Sequence, residues 1–192
     1  MKKVITPLAA LIVSSFAMNS AHAAVKLDYF VGADLGLRLS GGMMLKNTIT
    51  DHESDNDLDN SAIYGIHGGV TLNDHHRITL GYTHEELSLK DDSESTGLDT
   101  VKAKYDYVFN LTNNINLTAG ANLGYEMAED NSNLDGMVYG IQTGVEYNLN
   151  HWSFGGELGY TLHNAEDDST MAIFKASLQD EATLMTNVTY HF

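Results

Sequence analysis

The chain has 192 residues, 43% of them hydrophobic, a single proline, no cysteine and a formal net charge of −16. The lack of cysteine excludes disulfides, thiolate metal chemistry and a lipid anchor made through a cysteine. The acidic balance argues against nucleic-acid binding and against attraction to an anionic lipid surface.

Lys2 and Lys3 precede an apolar run from Val4 to Val13, and Ala21-His22-Ala23 offers small residues at both positions a signal peptidase reads. Residues 1–23 therefore read as a cleaved secretory signal peptide and residues 24–192 as one mature domain. Losing Lys2 and Lys3 takes the charge from −16 to −18. The apolar run is too short for a membrane-spanning helix and contains Pro7, so the mature chain has no proline to interrupt a strand ladder.

Beyond residue 26 the dominant signal is period-two alternation, the mark of extended chain with two unlike faces. Leu27, Tyr29, Val31, Ala33, Leu35, Leu37 and Leu39 form one face of a first strand, with Asp28, Asp34, Arg38, Gly32 and Gly36 on the other. The polar stretch from Lys46 to Asn60 is expected to end it as a loop. A second strand sets Tyr64, Ile66, Val70 and Leu72 against Gly65, His67, Gly69 and Thr71, and stops at Asn73-Asp74-His75-His76. The third sets Ile78, Leu80 and Tyr82 against Arg77, Thr79, Gly81 and Thr83. Its parity slips near Glu85-Glu86, which suggests a bulge or emergence from lipid.

An acidic loop around Asp91 to Thr96 leads to a fourth strand, with Val101, Ala103, Tyr105, Tyr107, Phe109 and Leu111 opposite Lys102, Lys104, Asp106 and Asn110. The fifth, Ile115 to Glu126, alternates without a break. The sixth sets Met137, Tyr139, Ile141, Val145, Tyr147 and Leu149 against Gly140, Gln142, Gly144, Glu146 and Asn148. The seventh sets Trp152, Phe154, Leu158, Tyr160 and Leu162 against Glu157, Thr161 and His163. The segment 164–182 is harder to decipher, with a small extra hairpin suggested through Ile173 to Ser177. The chain closes on Leu184, Thr186, Val188, Tyr190 and Phe192, facing away from Thr183, Met185, Asn187, Thr189 and His191.

Short turns (73–76, 112–114, 148–151) alternate with long acidic loops, and outward aromatics fall at both strand ends. Tyr64, Tyr82, Tyr125, Tyr139 and Tyr160 lie toward the long loops. Tyr29, Phe109, Tyr147, Trp152 and Phe192 lie toward the short turns. Two such belts with Leu, Val and Ala between them suit the two headgroup zones of a bilayer. The competing interpretation is a periplasmic β-sandwich with surface tyrosines.

With its terminal Val188-Thr189-Tyr190-His191-Phe192 and the strand texts Gly120 to Tyr125 and Gly156 to Tyr160, the sequence resembles the small eight-stranded outer-membrane barrels of the OmpX and opacity-protein type and the membrane domain of the OmpA type. The resemblance covers nearly the whole mature chain. It implies an all-β fold, an eight-stranded antiparallel up-and-down transmembrane barrel in the bacterial outer membrane, with both termini periplasmic and no enzymatic cofactor. It implies as partners the outer-membrane lipids and lipopolysaccharide, and the barrel-assembly machinery, engaged through Val188, Tyr190 and Phe192. No wall-tethering domain follows Phe192, so that role of longer relatives is not expected.

Inside such a barrel, Asp34, Arg38, His67, Arg77, Lys102, Lys104, Asp106, Glu146 and Glu157 would share a narrow low-dielectric space, together with Glu85, Glu126 and His163. Opposite charges there should pair, because an unpaired buried charge is costly. A salt-bridged, largely plugged lumen is the expectation; a narrow cation-favouring pore is the alternative, since inward acids outnumber bases and inward glycines leave room for water. The loop acids (Asp51, Glu53, Asp55, Asp57, Asp59; Asp91, Asp92, Glu94; Glu129, Asp130; Glu166, Asp167, Asp168) read as a solvated repulsive surface or a receptor-facing, adhesive one. The first cluster fails as an EF-hand, with Asn56 where Gly is needed and Ala62 where the bidentate Glu should stand. No resident metal is assigned, and His75-His76 reads as a polar turn. A lipid A deacylase would need a His-x-Ser pair on the outer surface. His151-Trp152-Ser153 has the spacing, but at the turn end and with Ser153 inward, so catalysis is not expected. The function that follows is a monomeric structural or surface-interacting barrel.

Overall fold

Alternation of this kind leaves each strand with one apolar and one polar face, and a sheet of such strands satisfies all its backbone groups only by closing on itself. The computed structural model describes residues 25–40, 42–47, 52–57, 61–88, 95–128, 135–163, 174–178 and 180–192. The elements are β1 (Leu27–Ser40), β2 (Gly42–Asn47), β3 (His52–Asp57), β4 (Ala62–Leu72), β5 (His76–Ser88), β6 (Ser95–Asn110), β7 (Ile115–Ala128), β8 (Gly136–Leu149), β9 (Trp152–His163), β10 (Phe174–Leu178) and β11 (Glu181–His191). Eight of them close a barrel in the order β1-β11-β9-β8-β7-β6-β5-β4, every neighbouring pair antiparallel. The shortest barrel strands have 11 residues, and about 9–11 tilted residues suffice to cross a bilayer.

The apolar residues of the alternation point out and their partners point in. Among the described residues, Leu35, Ile66, Leu123, Ile141, Val145 and Leu158 are exposed apolar side chains in the middle of their strands. The short turns are built by local chemistry. Asn73 (φ 51°), Asp74 (φ 64°) and Asn150 (φ 56°) occupy the left-handed region, which Asn and Asp tolerate better than other non-glycine residues. Thr112 Oγ1 accepts from the backbone N–H groups of Asn114 (3.2 Å) and Ile115 (3.0 Å), so a hydroxyl closes the turn at 112–114. The residue before β1 is pinned to the first turn: Lys26 Nζ lies 2.8 Å from Asp74, whose hydrogen bond and charge raise the Lys26 amine above its usual range. At the other terminus Phe192 N–H donates to Tyr29 C=O at 3.0 Å.

Three sequence expectations change. The polar stretch after the first strand is not simply a loop, because β2 and β3 pair within it, Gly42 opposite Asp57 through Asn47 opposite His52. The strand expected as a hairpin of its own near 173–177 instead joins β2, Phe174 opposite Asn47, giving a three-stranded sheet in the order β10-β2-β3. Partners about 130 residues apart leave no local signature in the sequence. Finally, β5 pairs with β6 without interruption from His76 to Ser88, so no bulge forms at Glu85-Glu86. The one shift in the barrel register lies between Arg38 and Ser40 against β11. Glu85 keeps the inward parity, and it was the solvent-facing Glu86 that disturbed the pattern.

Candidate functional site: the charged lumen

The inward faces of eight strands converge on a narrow bore, and their charged side chains meet in three layers. Nearest the short turns, Arg77 forms a fork with Glu146, Nη1 to Oε2 at 2.6 Å and Nη2 to Oε1 at 3.2 Å. Its guanidinium stands over the Phe30 ring at 5.4 Å from the centroid, an apolar cover that strengthens the pair by excluding water. In the middle layer Lys104 Nζ donates to both Glu157 oxygens at 2.6 and 2.5 Å. His67 sits between Asp34 (2.8 Å) and Thr189 (2.9 Å) through its two ring nitrogens. Asp106 accepts from Gln142 at 2.7 Å, and Gln142 accepts from Asn122 at 2.8 Å.

The layer toward the long connections is the most buried. Arg38, 2% exposed, donates from Nε and Nη2 to Glu85 at 2.7 and 2.9 Å, and its Nη2 lies 2.8 Å from Glu181. Ser61 hydroxyl also donates to Glu85. Lys102 stands 3.9 Å from Glu181, and His163 Nε2 is 3.3 Å from Glu126. Ile63, Leu98 and Val138 are buried at the same level. Arg38 with Glu85, Arg77 with Glu146 and Lys104 with Glu157 each join strands that are not neighbours in the barrel order, so these bridges cross the bore rather than run along its wall. Between these side chains lies a cavity of about 120 Å³, enough for a few waters.

Some inward glycines are covered by neighbouring side chains, while others, such as Gly81 and Gly144, line the cavity. A Cβ on Gly32 would lie 2.5 Å from the His67 ring, one on Gly124 2.7 Å from Lys102 Cγ, and one on Gly155 2.6 Å from the Asn187 amide. Glycine is needed there because a long polar side chain from the next strand lies flat across it.

All nine lumen residues named from the sequence project inward. The reading missed two participants. Phe30, whose parity matches Asp28 and Gly32, was obscured by being aromatic among polar inward neighbours. Glu181 fell in the undeciphered segment, although stepping back by two from Thr183 reaches it. The ten named aromatics all point outward, and at the turn end Tyr107 and Tyr190 join them, Tyr107 with Phe109 at 4.7 Å, Trp152 with Tyr190 at 5.0 Å and Tyr190 with Phe192 at 5.4 Å between centroids. The signal segment and the acids at 91–94, 129–130 and 166–168 lie outside the described residues, as do Asp51 and Asp59.

Ser153 finds a histidine other than the one its sequence spacing suggested. Its hydroxyl is 3.0 Å from His191 Nε2, and His191 Nδ1 is 2.6 Å from Asp28. The order of atoms is that of a nucleophile, base and orienting acid, but the surroundings are not those of a hydrolase. Ser153 is 1% exposed, and the strand residues beside it, Asn148 and Thr189, are engaged in ladders. Neither a substrate carbonyl nor a pair of free N–H groups to receive an oxyanion has a place there. The three residues instead tie β9, β11 and β1 together where β1 and β11 close the barrel.

A family model described as outer membrane protein β-barrel domain matches residues 8–192. Among solved structures, the chain is similar to the outer membrane protein OprG from Pseudomonas aeruginosa, with 14% identity, a TM-score of 0.66, and 86% of this chain and 95% of that one covered. It is similar to Neisserial surface protein A, with 19% identity, a TM-score of 0.57, and 85% and 97% covered. It is also similar to outer membrane protein H (OprH) from P. aeruginosa, with 22% identity, a TM-score of 0.56, and 86% and 99% covered. No curated protein matches the sequence.

Proposed function

The chain belongs to the outer membrane protein β-barrel family, and on that premise we propose that it is a sealed barrel of the bacterial outer membrane whose work is done at its outer surface. The observation that carries this is Arg38, 2% exposed and shared between Glu181 on the adjacent strand β11 and Glu85 on β5, two strands away on the other side. A conducting pore would need a continuous water path past this layer, which the Arg38, Glu85 and Glu181 group narrows. Charges so paired are held by mutual attraction in a low dielectric, and an ion entering would have to separate them.

Residues 1–23 direct export, and Val188, Tyr190 and Phe192 engage the assembly machinery as the closing strand. The outward aromatics sit at the headgroup levels of the bilayer, and lipopolysaccharide surrounds the end with the long connections. A closed wall leaves no strand edge for a second copy, which favours a monomer. The acidic loops form the surface that meets a ligand or receptor. Ser153, for the reasons of burial given above, supports a non-enzymatic barrel.

Single-channel recording from the refolded mature protein in planar bilayers, with an Arg38→Ala/Arg77→Ala double variant alongside, tests the seal. The expected result is a silent wild type and a variant that conducts. Steady cation-selective steps from the wild type would refute it and move the function to passive permeation.

A further inference from the structure

We propose that Glu126, His163 and Glu181 form a binding site for a divalent first-row transition ion within the upper layer of the lumen. One ligand atom from each lies within 4.8 Å of the others. The side chains of Glu126 and Glu181 are 2% and 3% exposed and that of His163 is fully enclosed. Among the described residues, Glu126 Oε2 and both ring nitrogens of His163 have no hydrogen-bond partner, although polar atoms so deeply buried are almost always satisfied. Glu181 Oε2 has none either but lies 2.8 Å from Arg38 Nη2, so Glu181 would be shared between Arg38 and the ion. Glu126 Oε2 and His163 Nε2 are 3.3 Å apart without the angles of a hydrogen bond. That separation is what two ligands about 2.1 Å from one ion show at a near-tetrahedral angle.

The surroundings have the right sign. Glu85, Glu126 and Glu181 face Arg38 and Lys102, an excess of one acid while His163 is neutral. Second contacts hold the carboxylates in place: Thr100 hydroxyl donates to Glu126 Oε1 at 3.4 Å, and Arg38 flanks Glu181. One imidazole with two carboxylates selects zinc, manganese, cobalt or iron over calcium and magnesium, which prefer all-oxygen sets. Glu126 and Glu181 also line the lumen cavity, which has room for a water at the fourth position. The ligands come from β7, β9 and β11, so a bound ion would staple three strands of the barrel, whether or not the lumen conducts.

The test uses Co²⁺ with the folded mature protein in detergent, because low-coordinate cobalt absorbs strongly in the visible range and cobalt held by exposed loop carboxylates does not. The expected result is one equivalent of Co²⁺ with an intense visible band, displaced by Zn²⁺. The band should be absent from His163→Gln, and Glu126→Gln should bind at least about tenfold more weakly, each variant checked for barrel folding by its heat-dependent gel mobility. If neither variant folds, paramagnetic broadening in the wild type decides: the His163 ring signals should broaden before those of the other histidines. No visible band in the wild type, an unchanged band in folded His163→Gln, or equal broadening of all histidines would overturn the site and leave a proton on His163 as the balancing charge.

Discussion

Replacing Arg38 with methionine keeps most of the side-chain volume and removes the charge that two carboxylates share. The guanidinium makes two charge-assisted hydrogen bonds to Glu85, at 2.7 and 2.9 Å, and a third close contact to Glu181 at 2.8 Å, with 2% of the residue exposed. Deleting one member of a buried ionic group costs about 3–5 kcal/mol, because the partners remain desolvated and unpaired. Lys102 at 3.9 Å from Glu181 compensates one carboxylate partly, which places the expected loss toward the lower end, about 3 kcal/mol. With a urea slope of about 2 kcal/mol/M, the unfolding midpoint in lipid vesicles should fall by about 1.5 M. The triple variant Arg38→Met/Glu85→Gln/Glu181→Gln should recover most of that, since it removes both the cation and the stranded charges. A midpoint for Arg38→Met within 0.3 M or so of wild type would refute the view that this layer is held by charge, because even an ordinary neutral hydrogen bond contributes about 1 kcal/mol.

Leu123, 52% exposed at the middle of β7, should tolerate Ile but not Arg. Leu123→Arg is expected to destabilise the barrel in vesicles by about 2–4 kcal/mol, the cost of a cation at the bilayer midplane, and an effect below about 1 kcal/mol would contradict the lipid-facing assignment. Gly32→Ala should push the His67 ring off Asp34 and Thr189, since its Cβ would lie 2.5 Å from that ring. A loss of about 1–3 kcal/mol in the same unfolding assay is expected. A shift of the His67 ring resonances should accompany it, and unchanged resonances would show that the two do not touch.

Period-two alternation oriented nearly every strand, because in a barrel wall the solvent on one side is lipid and on the other a polar bore, so each residue's chemistry declares its face. The fold needed the turn and loop asymmetry, the aromatic belts and the family resemblance as well. Thus Leu27 to Leu39, Ile115 to Tyr125 and Leu184 to Phe192 could be read residue by residue, and the turns at 73–76 and 148–151 announced themselves through Asn and Asp. The inward set could be named from sequence for the same reason. What it could not yield was who meets whom: Arg38 with Glu85 and Glu181, Arg77 with Glu146 across the bore, or Ser153 with His191 rather than His151. Those contacts depend on strand register and on the shear that brings non-neighbouring strands to one level, and both are properties of the closed sheet. Distant pairing escaped for the same reason, which is why β2 and β10 were read as loop and hairpin. The sequence by itself determined which side of the wall each residue faces, a local matter of solvent. Only the tertiary structure decided which charges meet and neutralise one another, because that depends on distances set by ring closure.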